Sequence, residues 1–415
     1  MPELVQIDPI KEHWMGPTVP VDRDMPGRAQ SHIALLPGAR RILYVQYTNP
    51  GCYPPLLHSA RILADAGWDV HFLGTQSFGD SRLVRVESGP RIRVTQLSFS
   101  AESLVPGLHY LWFCLRVLFR ALWWRPAWIY ASDSFSSPPT LLASLLFRCG
   151  VIFHEHDTPV NKNTQFSRFL FWTRRRLARR ANLNILPNQA RAEAFERDTQ
   201  ASRVQVVWNC PSIKEVAPLE NRDSFVLYYH GNISPNLVPL SAVEALKTLP
   251  EDVVLRILGY ETQGSVGYSQ QIMERAAVLG VAHRLQILPA VGRAELVTLC
   301  RKGDVGLAFF PEPTTPRNSY AGASNKVFDY LCCGLPIIIS DNPEWNRFFA
   351  GTDVTVACDP ADPNSISQTV LWFYRHRAEL RSMGQEGRRK ILAEWNYEKQ
   401  FAPVLDILQG SPGRA

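Results

Sequence analysis

The sequence predicts an α/β protein built from two doubly wound, Rossmann-like halves whose parallel sheets face a central cleft. Three observations predict it. Short β-branched and aromatic runs alternate with stretches of helical period, the pattern of βαβ units. That alternation is broken once, by a polar stretch from Pro211 to Asp223, and then restarts. Finally, 415 residues exceed what one core usually holds, while 46% hydrophobic and 20% charged residues suffice to fill two. The same balance excludes wholesale disorder and fibrous structure.

Residues 1–39 show no sustained period and contain several prolines, so they read as an extension ahead of the fold. From Arg40, RRILYVQYT reads as a buried strand, NPGC as a turn, PPLLHSARILADAG as a helix ended by Gly67, and WDVHFLGT as a second strand. The rhythm continues with the strand RIRVTQL, a helix around Trp112 to Trp124, the strand AWIYASD, a helix from Thr140 to Arg148 and the strand VIFHEHD. ANLNILPN and VQVVWN follow. After the polar break come FVLYYHG, VVLRILG, RLQILPA, DVGLAFF, LPIIIS and DVTVA with helices between them, then helical segments from Pro363 to Leu408. The predicted divisions are an extension over 1–39, a first domain over 40–215, a second over 216–395 and a terminal helix and tail over 396–415. In such sheets ligands bind beyond the carboxyl ends of the strands, so the cleft between the halves is the expected site.

Charge narrows the partners only slightly. Lys and Arg number 44 against 38 Asp and Glu, a surplus of +6 that does not by itself indicate nucleic acid. The eight cysteines are scattered with no C-x-x-C pair, and no His cluster has metal-ligand spacing, so a reducing, cytoplasmic setting without a metal is expected. The first residues, MPELVQIDPIKEHW, lack the basic start and apolar run of a signal peptide. The most membrane-like stretch, Leu108 to Trp124, is interrupted by Arg116 and Arg120 and is shorter than the roughly 20 apolar residues of a spanning helix.

The strongest local signal is SNKVFDYLCCGLP, Ser324 to Pro336, where a loop feeds a helix. Free N–H groups at that helix start and its positive dipole end form an anion site, and Lys326 adds a charge suited to a diphosphate. Asp329, one turn after Asn325, shares its helix face and is placed to accept hydrogen bonds from ribose hydroxyls. The same letters also read as an ordinary capped helix, with Ser324 as N-cap and a solvated lysine.

This run resembles the donor-binding helix of the family 4 (group 1) retaining glycosyltransferases, which have the GT-B fold and use nucleotide-diphosphate sugars. The resemblance spans most of residues 40–405. It includes LADAGWDVHFLG, VIFHEHD, ANLNILPNQA, VVWN, YYHGNIS and DNPEW in the family's order. It implies that Asp329 binds ribose where relatives commonly have the second glutamate of E-x7-E, while Lys326 and the amides of Ser324 and Asn325 hold the diphosphate. Ala321 stands where the first glutamate would be, which implies that the backbone amides of Tyr320 to Ser324 hold the sugar instead. In GNISPNL, Gly231 lets the backbone approach the phosphates, but Asn232 and Leu237 replace two cations of the family's glycine-rich loop, leaving neutralisation to Lys326 with help from Arg317. His156 matches the family histidine that faces the donor sugar, and with Lys326 it is the catalytic candidate. By alternation along a strand, His154 and His156 share one face, with Glu155 and Asp157 on the other. Gly51, in the NPGC turn, resembles the loop that closes beside donor and acceptor, and it also reads as an ordinary turn glycine. The resemblance implies no metal and no cofactor beyond the UDP- or GDP-sugar co-substrate.

Two segments join apolar and basic residues. In Gln165 to Arg180, Phe166, Phe169, Leu170, Thr173 and Leu177 follow helical spacing while Arg168, Arg175 and Arg179 lie on another face. In Tyr110 to Arg125, Trp112, Phe113, Phe119, Trp123 and Trp124 alternate with Arg116, Arg120 and Arg125. Such helices suit an anionic bilayer, and the same aromatics also read as sheet-packing residues. The first reading implies a peripheral protein at the inner face of the membrane with a glycan or lipid-linked glycan acceptor. The aromatic spacing is an apolar stripe and not a stacking platform, so no nucleic acid is expected. A nucleotide-sugar epimerase on the same fold, and a membrane-associated adaptor with a vestigial cleft, are the alternative readings.

Overall fold

The computed structural model describes residues 40–77, 79–99, 106–159, 163–216 and 225–410. The predicted extension over 1–39 and residues 217–224 of the polar break lie outside them.

The first half contains β1 (Arg41–Gln46), β2 (Asp69–Thr75), β3 (Ile92–Leu97), β4 (Trp128–Ser132), β5 (Gly150–His154), β6 (Leu183–Leu186) and β7 (Val204–Val206). They form one seven-stranded parallel sheet in the order β3-β2-β1-β4-β5-β6-β7. Its helices are α1 (Pro54–Asp65), α2 (Pro106–Trp124), α3 (Ser137–Leu146), α4 (Gln165–Arg180) and α5 (Gln189–Thr199). The second half contains β8 (Phe225–Asn232), β9 (Val253–Tyr260), β10 (Leu285–Pro289), β11 (Val305–Ala308), β12 (Ile337–Ser340) and β13 (Thr355–Cys358) in the six-stranded order β10-β9-β8-β11-β12-β13. With it go α6 (Leu240–Ala245), α7 (Tyr268–Val278), α8 (Arg293–Cys300), α9 (Asn325–Cys332), α10 (Pro343–Phe348), α11 (Pro363–Arg375), α12 (Arg377–Ala393) and α13 (Tyr397–Gln409).

Strand composition explains the layering. Ile42, Leu43, Tyr44 and Val45 of β1 are all buried, as are Ile337, Ile338 and Ile339 of β12, because helices cover both faces of each sheet. Strand order reverses between β1 and β4 and again between β8 and β11. Those two switch points open crevices at the carboxyl ends of the strands, where Gln46 and Asp133 stand in one half and Asn232 and Phe310 in the other.

Several elements differ from the sequence reading. Strand β5 stops at His154, so His156 and Asp157 lie in the bend after it. Helix α3 starts at Ser137 and not Thr140, since proline suits a first helical turn where N–H groups lack partners anyway. In α4 the residues Leu170, Thr173 and Leu177 are buried, but Phe166 and Phe169 are exposed, along with Trp172. Arg174 of the same helix is buried in a bidentate pair with Glu155, with Nη2 at 2.7 Å from Oε1. In α2, Tyr110 and Phe113 face the core while Trp112, Phe119 and Trp123 face outward.

The terminal helix belongs to the opposite half from the strands that precede it. Tyr397, Phe401, Val404 and Leu408 of α13 are buried against Leu56, Leu63 and Ile42, and the Tyr397 N–H donates to the Pro211 carbonyl at 2.8 Å. Burying one such side chain stabilises by roughly 1.5–3 kcal/mol. Helix α13 thereby ties the end of the second half to the first.

Candidate active site

A cavity of about 400 Å³ opens between the two halves. From the first half it is lined by Gly51, Tyr53, His156, Asp157 and Arg191, and from the second by Gly231, Asn232, Leu237, Ser324, Asn325, Lys326 and Asp329 among others. Of the sequence-derived candidates only Arg317 is not among its lining residues. Its guanidinium pairs with Asp198 of α5, outside the cavity lining and not beside Lys326 where help with neutralisation was expected of it.

Helix α9 aims its start at this cavity. Its first N–H groups have no partner within the helix, and Ser324, at the cap position, makes no side-chain cap bond. Lys326 is not the solvated lysine of the alternative reading. It is buried, its ammonium lies 4.3 Å from the Tyr229 ring centroid and 5.2 Å from that of Phe310, and it donates to Tyr229 Oη at 3.1 Å. Burial pushes its pKa down to about 7. Gly231, one residue before the end of β8, has φ 121°, and a Cβ there would stand 3.7 Å from Lys326 Cε. Its neighbour Gly259 is closer still to the backbone, since a Cβ would fall 1.9 Å from the Gly231 carbonyl oxygen.

Asp329 receives Arg293 Nη1 on Oδ2 at 2.8 Å and Nη2 on Oδ1 at 2.6 Å, while His230 Nε2 lies 3.2 Å from Oδ2. Burial opposes its ionisation, yet the guanidinium and the imidazole N–H hold the carboxyl well below the usual carboxylate range. Arg293 also grips Glu215 at 2.7 and 2.8 Å, and Glu215 lies 3.7 Å from His58 of α1. A buried ionic chain thus runs from the cleft to the connection between the halves.

In the first half, His156 is buried with neither ring nitrogen bonded among the described residues, its ring 3.7 Å from that of His154 and 5.1 Å from that of Tyr53. Burial and the nearby Arg191 push its pKa down to about 3, so the ring is neutral at physiological pH. Its backbone is gripped at both ends: the N–H donates to Asp133 Oδ1 at 2.8 Å, and the carbonyl accepts from Arg191 Nη1 at 2.6 Å. His154 and His156 do adjoin and Glu155 turns away to Arg174, but Asp157 also lines the cavity because the chain bends after β5. Gly51 is tightly packed: a Cβ would meet the Val84 carbonyl oxygen at 2.8 Å, and its N–H donates to Asn49 Oδ1 at 3.0 Å.

The segment Ser319 to Ser324 corrects one expectation. The N–H groups of Tyr320 and Ala321 both donate to Glu344 Oε1 at 2.9 Å, and those of Ala323 and Ser324 donate to the Tyr320 carbonyl. These four amides are satisfied inside the fold and are not held out for a sugar, nor is that of Ser324 held out for the diphosphate expected of it, which leaves the amides from Asn325 onward. The first half clasps the same segment: Asn188 Nδ2 reaches the Ala321 carbonyl at 2.8 Å, Arg191 Nε the Ser319 carbonyl at 2.9 Å and Asn209 Nδ2 the Ala323 carbonyl at 2.6 Å. Sequence reasoning missed Asp133, Arg191, Arg293 and Glu344. Asp133 closes the run AWIYASD as Asp157 closes VIFHEHD, and Glu344 lies in DNPEW, whereas Arg191 and Arg293 carried no such signal. No group of three His, Cys, Asp or Glu side chains suited to a metal gathers among the described residues.

Two sequence families match: "Glycosyl transferase 4-like domain" over residues 54–210 and "Glycosyl transferase-like" over residues 240–406. The chain belongs to the family 4 (group 1) glycosyltransferases. It has their GT-B fold and is a transferase by family. Sucrose-phosphate synthase from Thermosynechococcus elongatus is 14% identical with TM-score 0.67, over 89% of this chain and 98% of that one. Anabaena HepE, solved with UDP and glucose, is 16% identical with TM-score 0.67, over 89% and 99%. WaaG, a glycosyltransferase involved in lipopolysaccharide biosynthesis, is 12% identical with TM-score 0.63, over 89% and 100%. No curated protein sequence matches this glycosyltransferase.

Proposed function

We propose that this glycosyltransferase transfers a hexosyl group, with retention, from a UDP- or GDP-sugar to a hydroxyl of a glycan or lipid-linked glycan in polysaccharide or glycoconjugate synthesis. The observation that carries the reading is the cavity that brings the start of α9, with Lys326, opposite His156. The UDP and glucose bound to HepE support a nucleotide-sugar donor. In the proposed step the bond from the anomeric carbon to the diphosphate oxygen breaks and a bond to the acceptor oxygen forms on the same face. The acceptor proton passes to the departing oxygen. Lys326 and the α9 amides stabilise the negative charge that develops there, and neutral His156 orients the sugar.

The acceptor reading rests on the outward face of α2, α3 and α4. Trp112, Phe119 and Trp123 of α2, Leu145 and Leu146 of α3, and Phe166, Phe169 and Trp172 of α4 are exposed, with α3 packed between the other two. Arg168, Arg175 and Arg176 are exposed beside them, and Arg116 and Arg176 lie over the Trp112 and Trp172 rings. Apolar residues among cations suit an anionic membrane surface, and the starts of α2 and α4 stand at the cleft end of the first sheet. No helix among the described residues is long and apolar enough to cross a membrane.

A second reading, a membrane-associated adaptor, is favoured by Ala321, Asn232 and Leu237 and by the amides that Glu344 occupies. Calorimetry against UDP and GDP separates the two. Binding of one, followed by nucleotide release when sugar donor and acceptor extract are combined, is expected of the transferase. Silence with both nucleotides sinks it. Donor conversion with no acceptor and no nucleotide released would indicate the epimerase.

A further inference from the structure

Two acidic side chains line the cavity, Asp157 from the first half and Asp329 from the second, and they stand in opposite conditions. Asp329 is buried, and its oxygens are taken up by Arg293 and His230. Asp157 is exposed, and its carboxylate has no hydrogen bond or ion pair among the described residues. The basic residues of the lining do not reach it. Arg191 gives Nη1 to the His156 carbonyl and Nε to the Ser319 carbonyl, Arg293 is held by Asp329 and Glu215, and Lys326 donates to Tyr229. Asp157 is therefore the lining acid left to meet a ligand.

Its backbone is fixed although its side chain is free. The Asp157 N–H donates to Asp133 Oδ1 at 3.2 Å, one residue after the His156 N–H does so at 2.8 Å. Arg191 joins this bend to the other half, with 2.6 Å to the His156 carbonyl and 2.9 Å to that of Ser319, next to Tyr320. Tyr53 of the first half and Tyr260 and Tyr320 of the second line the same cavity. Burial makes their hydroxyls harder to ionise, and in each the charge of Asp157 adds to the effect, so all three lie near the carboxylate. A carboxylate exposed among aromatic rings suits a polyhydroxylated ring. It repels phosphate and accepts charge-assisted bonds from hydroxyls, while the aromatic side chains cover apolar C–H faces.

We infer that the Asp157 carboxylate accepts hydrogen bonds from hydroxyls of a substrate sugar ring and so helps to select the sugar that the cleft takes. The inference rests on the nucleotide-sugar reading above and deepens it. The ring is either the hexosyl group in transfer or the acceptor residue that receives it, and the experiment separates these two sources.

The test compares the wild-type protein with Asp157→Asn and Asp157→Ala, both shown to be folded by circular dichroism. Calorimetry should find their affinity for bare UDP or GDP unchanged. With UDP-glucose, UDP-N-acetylglucosamine or GDP-mannose, whichever the wild-type protein turns over in acceptor extract, kcat/KM should fall about ten- to hundredfold, the range of a hydrogen bond to a charged group. Weaker binding of the nucleotide sugar, with the bare nucleotide unaffected, assigns the contact to the group in transfer. Retained donor affinity, with a rate that saturates only at higher acceptor, assigns it to the acceptor. A kcat/KM equal to wild type in Asp157→Ala overturns the inference, as does an equal loss of affinity for bare and sugar-bearing nucleotide. If neither nucleotide binds the wild-type protein, or no nucleotide sugar is turned over, the donor reading itself fails and takes this inference with it.

Discussion

The carboxylate of Asp133 accepts the backbone N–H of His156 at 2.8 Å, from a residue whose own backbone is held at φ 59° and ψ 172°. A second bond comes from the Asp157 N–H at 3.2 Å, and Gln46 Nε2 reaches the other carboxylate oxygen at 3.2 Å across the β1–β4 switch point. That region of φ and ψ is left almost entirely to glycine, and a side chain there costs about 1–3 kcal/mol. The strain is tolerated because it aims an acceptor at the bend that carries His156. Asp133→Ala keeps the strain and loses the acceptor, so it is expected to destabilise by about 2 kcal/mol. Asp133→Gly loses the acceptor but relieves the strain, so its urea midpoint should lie above that of Asp133→Ala. Both should lower turnover. A glycine variant less stable than the alanine variant would refute the strain account.

Removing Arg293 isolates two carboxylates. Arg293→Met leaves Asp329 and the mostly buried Glu215 without their shared cation, and breaking a buried pair from one side costs about 3–5 kcal/mol. Chemical denaturation is expected to show a loss of that size. A loss below about 1 kcal/mol, the value of an exposed pair, would show that solvent reaches the network.

Lys326 gives donor binding a pH dependence. Burial lowers its pKa from the ordinary 10.5 to about 7, so between those values the unfolded chain holds a proton that the folded chain does not. Stability from this group is therefore present above pH 10.5 and is lost as pH falls through 7. A bound diphosphate recharges the ammonium, so nucleotide binding should take up a proton in that window. Affinity should then fall with rising pH by up to about tenfold per unit, the slope of one proton. Calorimetry at pH 8.5 in two buffers of different ionisation enthalpy measures the uptake. Lys326→Met should abolish it.

The outward face of α2 should govern attachment to anionic vesicles. Trp112, Phe119 and Trp123 are exposed, Trp123 by 76%, and none is needed to close the core. A triple change of these residues to Ser is expected to leave the melting temperature nearly unchanged and to remove most co-sedimentation with anionic vesicles at low salt. Equal recovery of the wild-type protein with and without vesicles would remove the membrane proposal.

Helix α13 should behave as part of the first half. Phe401 is fully buried in the cluster with Leu56 and Leu63, so Phe401→Ala is expected to cost about 3–5 kcal/mol. Hydrogen exchange should then speed up in α1 before it does in α11.

Much of the fold was legible because strand and helix periods are local. Runs such as RRILYVQ and LPIIIS announce strands that helices cover on both faces, and the polar break after VVWN separates the two series. Part of the site was legible for the same reason, since Lys326 lies in the first turn of a helix and His156 in the bend that follows a strand. What surrounds them was not. Nothing local links Asp133 to His156, Arg293 to Asp329 or Glu344 to the amides of Tyr320 and Ala321, because each pair joins different elements. The exposure of Phe166 and Phe169 was equally hidden, as a helical stripe states which residues share a face and not how wide a neighbour covers it.

The sequence by itself determined the two parallel sheets, the order of their strands in the chain and the helix whose start can hold an anion, because these follow from periodicity and composition along a few residues. Only the tertiary structure decided which charges remain free to meet a ligand. Arg317 is drawn to Asp198, Asp329 is matched by Arg293, and Lys326 is left with aromatic faces and a hydroxyl. The physical reason is that a charge's availability depends on burial and on partners distant in sequence, and neither is set until the halves and α13 pack together.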